Sequence, residues 1–311
     1  MSGETAIVFP GMGPSSFSAV GKFMVFDPFA RRRVAEADEV LGHSLLDRLF
    51  EAVDDYSEHT QLAFLVNSLA LADRAVDQCG AEPAVCVGMS FGQKAAAVYS
   101  GAMEFGDALL MTAEMARQER EFFENHHQDV VTHSFMRTPR AELDRFLCEL
   151  AERDEYYDIS GYLDTDFFLV SVREQVLPEL KRLITAVGGY SMYTMRPPVH
   201  AGAFGELRER IADDVLVKYR IEAPKMPVLA DNDGSLVATA DAMRTLLLDS
   251  IDQPIRWPDV VDALRGRDVT RLMITGPDDL FRRLDCTKRN FDVTSIEPKG
   301  ALREVMAPAL R

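Results

Sequence analysis

The pentapeptide Gly88-Met89-Ser90-Phe91-Gly92 constrains this chain more than any other segment. An apolar run, Ala84-Val85-Cys86-Val87, precedes it, and a helix-like stretch from Gln93 to Ser100 follows. Strand, sharp Gly-x-Ser-x-Gly turn and helix together make a nucleophile elbow. The glycines let the backbone turn tightly, so the serine hydroxyl stands at the strand tip. The N–H of Phe91 and the start of the following helix then face a developing oxyanion. A glycine-rich βα turn without chemistry has the same short pattern; the strand and helix flanks favour the elbow.

With 311 residues and 47% hydrophobic content, the chain is long enough for one large domain or two smaller ones. Its net charge of −16 makes nucleic acid and anionic membrane poor partners, since both need a basic footprint. The N-terminus lacks the pattern of a secretory signal, and no uncharged apolar run reaches membrane-spanning length. Cys79, Cys86, Cys148 and Cys286 form no C-x-x-C pair and no zinc-like cluster, so they read as reduced core thiols of a cytoplasmic protein with no bound metal.

Ala6-Ile7-Val8-Phe9 reads as a buried strand ended by Pro10-Gly11-Met12-Gly13-Pro14, and residues 17–75 read mostly as helices. Strand signals return at 84–87, 227–230, 271–275 and 293–296, which predicts an α/β domain with a largely parallel sheet. Between them the pattern changes. Val130–Met136, Tyr156–Tyr162, Phe167–Val172 and Tyr190–Met195 read as strands. Amphipathic helices carry Leu143, Phe146, Leu147 and Leu150, then Val176, Leu180, Leu183, Ile184 and Val187. The order β-α-β-β-α-β is the ferredoxin-like signature. The expected organisation is a core from residues 1–127 and 198–311 with a subdomain, 128–197, inserted.

A serine nucleophile needs a base within hydrogen-bond reach. The histidines are His43, His59, His126, His127, His133 and His200, and 111 residues follow the last. The ordinary α/β-hydrolase places its histidine late in the chain, so that order fits badly. His200 directly follows Pro197-Pro198-Val199, where the chain re-enters the core, and is the candidate base. His126-His127 reads as a solvated helix end. Asp231 and Asp233 either orient a base or belong to the turn Asp231-Asn232-Asp233-Gly234.

These motifs resemble, over nearly the whole chain, those of the malonyl-CoA:acyl-carrier-protein transacylase family. Phe9-Pro10-Gly11-Met12-Gly13 is similar to the family's F-P-G-Q-G, and Thr60-Gln61 to its T-Q. Gly88–Gly92 is similar to G-H-S-x-G-E, with Gly101 and Phe105-Gly106-Asp107-Ala108 following at family spacing. Val199-His200 matches the catalytic histidine, Gln253-Pro254-Ile255-Arg256-Trp257 is similar to N-P-V-x-W, and Gly276-Pro277 to a late G-P. The resemblance implies an α/β-hydrolase-like domain with a ferredoxin-like insert. It also implies ping-pong acyl transfer through an acyl-Ser90, with His200 as base. An oxyanion hole would come from the backbone N–H groups of Met12 and Phe91, and the Ser250 carbonyl would orient the histidine. No cofactor is expected beyond the acyl-bearing phosphopantetheine arm of a carrier protein, or coenzyme A. The expected partners are acyl carrier proteins, contacted by a monomer through Arg137, Arg140, Arg282, Arg283, Lys288 and Arg289.

The departures bear on substrate. Met89 and Gln93 replace the family's His and Glu. Malonyl transferases carry an arginine 25 residues after the nucleophile for the substrate carboxylate, and an ungapped count puts Met115 there. Methionine cannot pair with a carboxylate. Arg117 lies about 200° around the helix, and only a local gap would restore it to the site. The expected pocket, Gln61, Met89, Met115 and Val199, therefore suits a non-malonyl group. The expectation is an aminoacyl or peptidyl group passed between carrier proteins in polyketide biosynthesis. Malonyl transfer, an editing hydrolase and a non-catalytic scaffold are the alternatives.

Overall fold

Alternation along the first strand decides how the core is layered. In β1 (Glu4–Phe9), Ile7 and Phe9 enter one apolar cluster while Ala6 and Val8 enter another on the opposite face. The computed structural model describes residues 3–54, 56–80, 82–278 and 280–306. After β1 come α1 (Phe17–Phe26), α2 (Pro28–Leu41), α3 (Leu45–Glu51) and α4 (Glu58–Cys79), which start at caps that sequence can show. Asp27 accepts from the N–H groups of Phe29 and Ala30, and Ser57 accepts from that of Thr60. The elbow segment supplies β2 (Val85–Gly88), α5 (Gly92–Tyr99) and α6 (Phe105–Asn125).

The middle of the chain supplies β3 (Val130–Met136), α7 (Arg140–Glu152), β4 (Tyr157–Asp164), β5 (Phe167–Arg173), α8 (Leu177–Ala186) and β6 (Tyr190–Met195). Then follow α9 (Gly205–Asp214), β7 (Val228–Leu229), β8 (Leu236–Val237), α10 (Ala240–Asp252), β9 (Ile255–Arg256) and α11 (Trp257–Arg265). The chain finishes with β10 (Val269–Thr275), α12 (Leu280–Arg283), α13 (Asp285–Asn290), β11 (Asp292–Ile296) and α14 (Pro298–Met306).

The large sheet runs β11-β10-β1-β2-β7-β8, parallel except for the β7–β8 pair. The small sheet runs β6-β3-β5-β4, antiparallel, in the ferredoxin-like order. The fold is therefore α/β: a hydrolase-like large unit and a ferredoxin-like small one. A fifth strand, β9, joins the small sheet parallel to β4, although it comes from beyond the segment expected to build that unit. Packing gives the reason. Leu143, Leu147, Leu180 and Ile184 of α7 and α8 cover one face of the small sheet, and Leu163, Phe167 and Leu169 share a core with Val8, Val87, Ile255 and Trp257 on the other. The small unit is thus buried on both faces. Trp257, fully buried, closes that layer, with its indole N–H donating to Thr287 Oγ1 at 2.8 Å.

The cysteines do not all behave as core thiols. Cys86 is buried but Cys148 is exposed on α7, where one side of an amphipathic helix faces water; the Cys79 side chain lies outside the described residues.

Candidate active site

The elbow takes the shape its glycines permit. A Cβ on Gly92 would stand 2.3 Å from the Phe9 carbonyl oxygen, and one on Gly88 would stand 2.5 Å from the Gln93 backbone. Neither neighbour can retreat, so both positions exclude side chains. Ser90 itself adopts φ +53°, the left-handed region that an L-residue enters at a cost of about 1–2 kcal/mol. That turn lifts its hydroxyl off the strand tip toward His200, which the small unit's return loop delivers, also at positive φ (+52°).

Ser90 Oγ donates to His200 Nε2 across 2.7 Å. On its other side, His200 Nδ1 donates to the Gln253 carbonyl at 2.9 Å. That second bond fixes the tautomer: with the proton on Nδ1, Nε2 keeps the lone pair a general base needs. Burial pushes the imidazole pKa down to about 4, against upward pulls from the Gln253 carbonyl and Asp252. His200 is thus neutral at ordinary pH. Ser250 was the expected orienting carbonyl, and Gln253 replaces it. Ser250 lies inside the last turn of α10, whereas Gln253 caps that helix in extended conformation and its carbonyl is free to turn to the imidazole.

Neither aspartate orients the base. Asp233 Oδ1 accepts the Ser235 N–H, as a turn residue does. Asp231 is buried behind the elbow: Oδ2 accepts the Ser90 backbone N–H and Oδ1 accepts the Gln93 side-chain amide, both at 2.6 Å. The backbone N–H groups of Met12 and Phe91 have no acceptor among the described residues, so both remain available to a ligand oxygen.

The expected pocket residues separate. Gln61, on α4, is buried near the site and donates to the Tyr56 carbonyl and to Glu119 Oε2, each at 3.3 Å; its Oε1 has no partner. Val199 is partly buried, and its N–H donates to Thr132 Oγ1. Neither these two nor Met89 and Met115 line the cavity walled by Tyr56 and Pro198. Both methionines are fully buried, Met89 between the two sheets and Met115 in the main apolar cluster. Arg117 is exposed and pairs with Glu58 at 2.7 Å, so it does not take the place of Met115. The residues that α6 does present to a 530 Å³ cavity include Ala116, Glu119, Arg120 and Phe123, opposite Tyr56 of the loop before α4 and Arg196 and Pro198 of the loop before His200. His127 also lines that cavity, and His126 stacks on Phe122, so the pair expected at a solvated helix end is packed against aromatic rings.

A charge that sequence reasoning missed lies at the Gln61 end. Among the described residues the buried lysine and arginine side chains are Arg74, which pairs with Asp27 and Glu304, and Lys94. The Lys94 ammonium sits 4.0 Å above the Phe91 ring with no ion pair or hydrogen bond among the described residues. Burial lowers its pKa to about 8 while Glu119 pulls it upward; burial in turn raises the pKa of Glu119. The visible signal was position: Lys94 comes two residues after the last elbow glycine, and Glu119 falls one helical turn after Met115.

Of the basic residues expected to meet a carrier protein, Arg140 and Arg289 are exposed and paired with acids on their own helices, Asp144 and Asp285, as is Lys288. Arg137 is exposed at positive φ, and Arg282 and Arg283 are exposed on α12. Arg140 and Arg256 lie 5.1 and 5.0 Å from the ring of Tyr162.

Residues 134–195 match the family model described as the VinK acyltransferase small domain. Malonyl CoA-acyl carrier protein transacylase of Escherichia coli K12 is 24% identical, covering 98% of both chains. Polyketide biosynthesis protein ThaF of Burkholderia thailandensis is 26% identical over 98% of this chain and 26% of that protein. Among solved structures, the malonyl-transacylase of a type II PKS complex with its acyl-carrier protein superposes with a TM-score of 0.84 at 19% identity, covering 98% of this chain and all of that one. The run of full-length malonyl transacylases among the relatives overturns the expectation of an aminoacyl or peptidyl passenger. That expectation leaned on Met115, whose side chain belongs to the core and does not line the cavity. With its Ser90–His200 pair in bonded contact, the chain is similar over nearly its whole length to malonyl-CoA:acyl-carrier-protein transacylases.

Proposed function

We propose that this protein moves a malonyl-type acyl group, one with a free carboxylate, from a thioester to the phosphopantetheine thiol of an acyl carrier protein. The observation that carries the reading is the 2.7 Å Ser90–His200 bond, set beside two unengaged backbone N–H groups in a chain aligned end to end with malonyl transacylases. In this reading Ser90 Oγ attacks the thioester carbonyl as His200 Nε2 takes its proton. The Met12 and Phe91 N–H groups hold the oxyanion, and the thiolate leaves with the proton from His200. The reverse sequence, with the carrier's thiol deprotonated by His200, completes the ping-pong cycle. Met12, in the place of the family's glutamine, contributes only its backbone N–H, which a side-chain change does not remove.

The substrate carboxylate needs a counter-charge that Met115 and Arg117 do not give. Lys94 fits that role as a buried ammonium with no fixed partner, on the helix that starts at the elbow and within the field of Glu119, which lines the cavity. Its single charge would meet the carboxylate as a point charge where the family's arginine meets it bidentately. For the carrier protein, an acidic partner of the kind the family uses, the exposed arginines 137, 140, 256, 282 and 283 and Arg289 offer the basic contacts, with Tyr162 between Arg140 and Arg256.

Intact-mass measurement of Ser90 loading from malonyl-CoA and acetyl-CoA tests the reading. Malonyl loading should exceed acetyl loading by tenfold or more, on the order of what one charge-assisted contact supplies. Equal loading of the two would overturn the malonyl assignment.

A further inference from the structure

The strained turn at Ser90 needs something to hold it, and the loop after β7 supplies it. Asp231 is 2% exposed, and both of its carboxylate oxygens are engaged: Oδ2 with the Ser90 backbone N–H and Oδ1 with the Gln93 amide, each at 2.6 Å. Among the described residues no cation contacts it. Its own carbonyl accepts the Arg256 N–H at 2.7 Å, which ties the loop to the start of α11. The contacts are therefore those of a carboxylate built into a backbone scaffold, not of an acid that orients a histidine. Burial of this kind is costly for a charged group, and it raises the Asp231 pKa to about 6. Such a group persists where its bonds hold something the fold would not otherwise keep, here a residue at φ +53°. The carboxylate also faces the first turn of α5, where negative charge is favoured.

We infer that Asp231 is a positioning residue of this acyltransferase: its carboxylate clamps the Ser90 backbone N–H and the Gln93 amide, and so holds the nucleophile in its strained, reactive turn. One departure from the family pattern then has a physical sense. Where G-H-S-x-G-E carries a carboxylate on the elbow helix, this chain has Gln93, and the carboxylate arrives from the opposite side. One negative charge then serves the contact, held on residue 231 in this chain. Gln93 Oε1 has no partner, so the amide can turn over to meet a donor at residue 231.

The clamp acts whatever acyl group Ser90 carries, and the test is chosen to be blind to that group. The rate at which a small fluorophosphonate modifies Ser90, with loss of fluoride, reports the nucleophile alone. Asp231→Ala should lower that rate 100-fold or more at a temperature where circular dichroism shows it folded, and Asp231→Asn, which keeps an acceptor for the Ser90 N–H, should recover at least tenfold of it. Gln93→Glu confronts two carboxylates at hydrogen-bond distance and should also lose reactivity; the double variant Gln93→Glu/Asp231→Asn should regain it. A folded Asp231→Ala protein reacting within twofold of the parent would overturn the inference. If Asp231→Ala does not fold, the glutamate variants decide: Gln93→Glu as reactive as the parent, or a double variant no better than Gln93→Glu, would overturn it equally.

Discussion

The nucleophile end of the site and the acyl-facing end are built in different ways. At the nucleophile end, chemistry rests on backbone: two residues at positive φ, two glycines that admit no Cβ, a carbonyl from Gln253 and free N–H groups from Met12 and Phe91. At the acyl end it rests on side chains: Glu119 of α6 lines a cavity whose wall runs to Pro198, Gln61 of α4 donates to that carboxylate and Lys94 of α5 feels its charge. Backbone geometry tolerates substitution of neighbours, so a methionine at position 12 still presents its backbone N–H. Side-chain chemistry does not. Met115, where an ungapped count puts the family's arginine, packs in the core.

The sharpest way to break this comparison is to remove the reacting atoms. Ser90→Ala should abolish the acyl adduct and lower transfer by about 10⁴-fold or more, and His200→Ala by roughly 10²–10⁴-fold, both read as single-turnover rates. Activity that survived Ser90→Ala would place the chemistry elsewhere. Next in size, Gly92→Ala forces a Cβ to 2.3 Å from the Phe9 oxygen; urea denaturation should show a loss of about 1–3 kcal/mol together with lost Ser90 loading. Unchanged stability would mean that the elbow is softer than its contacts imply.

The acyl end gives smaller and selective effects. Lys94→Met should cut malonyl loading roughly 10- to 100-fold while acetyl loading changes little, and Lys94→Arg should restore part of the difference. Equal losses for both acyl groups would show that Lys94 serves packing only. The pH dependence follows from the same residue. Its pKa is lowered to about 8, so the ammonium is charged below that pH and neutral above; malonyl preference should decay as pH rises through about 8, with acetyl loading flat. His200, held near 4, remains neutral across that range and contributes no change. Smallest of all, Arg117→Ala removes an exposed pair with Glu58 and should shift stability by under about 1 kcal/mol and malonyl loading not at all. A marked loss of malonyl loading would bring Arg117 back into the site.

The same division explains what the sequence disclosed. The elbow, His200 after its Pro-Pro turn and the β-α-β-β-α-β order were legible because each is a local pattern with its own signal: glycines, prolines, alternation and helical spacing. The addition of β9 to the small sheet was not, since two residues, Ile255 and Arg256, carry no strand signal of their own and pair only because Leu163 and Trp257 bury beside them. The Gln253 carbonyl was missed by three residues, about one helical turn, because the end of α10 sets which carbonyl is free. Asp231 was in view and Lys94 was not, and what each can do depends on what faces it across the fold. A lysine is left without a partner only where the fold buries it, and an aspartate reaches a serine N–H only when the loop after β7 passes behind the elbow.

The central claim is that Ser90 carries the acyl group between two thioesters. It is tested most directly by mixing the protein with malonyl-CoA, locating the adduct by mass, then adding holo acyl carrier protein and following both species in time. Malonyl should appear on the peptide containing Ser90, decay on addition of carrier protein, and reach the phosphopantetheine thiol at the same rate. Carrier protein that became malonylated with no Ser90 adduct, or equally well by the Ser90→Ala variant, would contradict it.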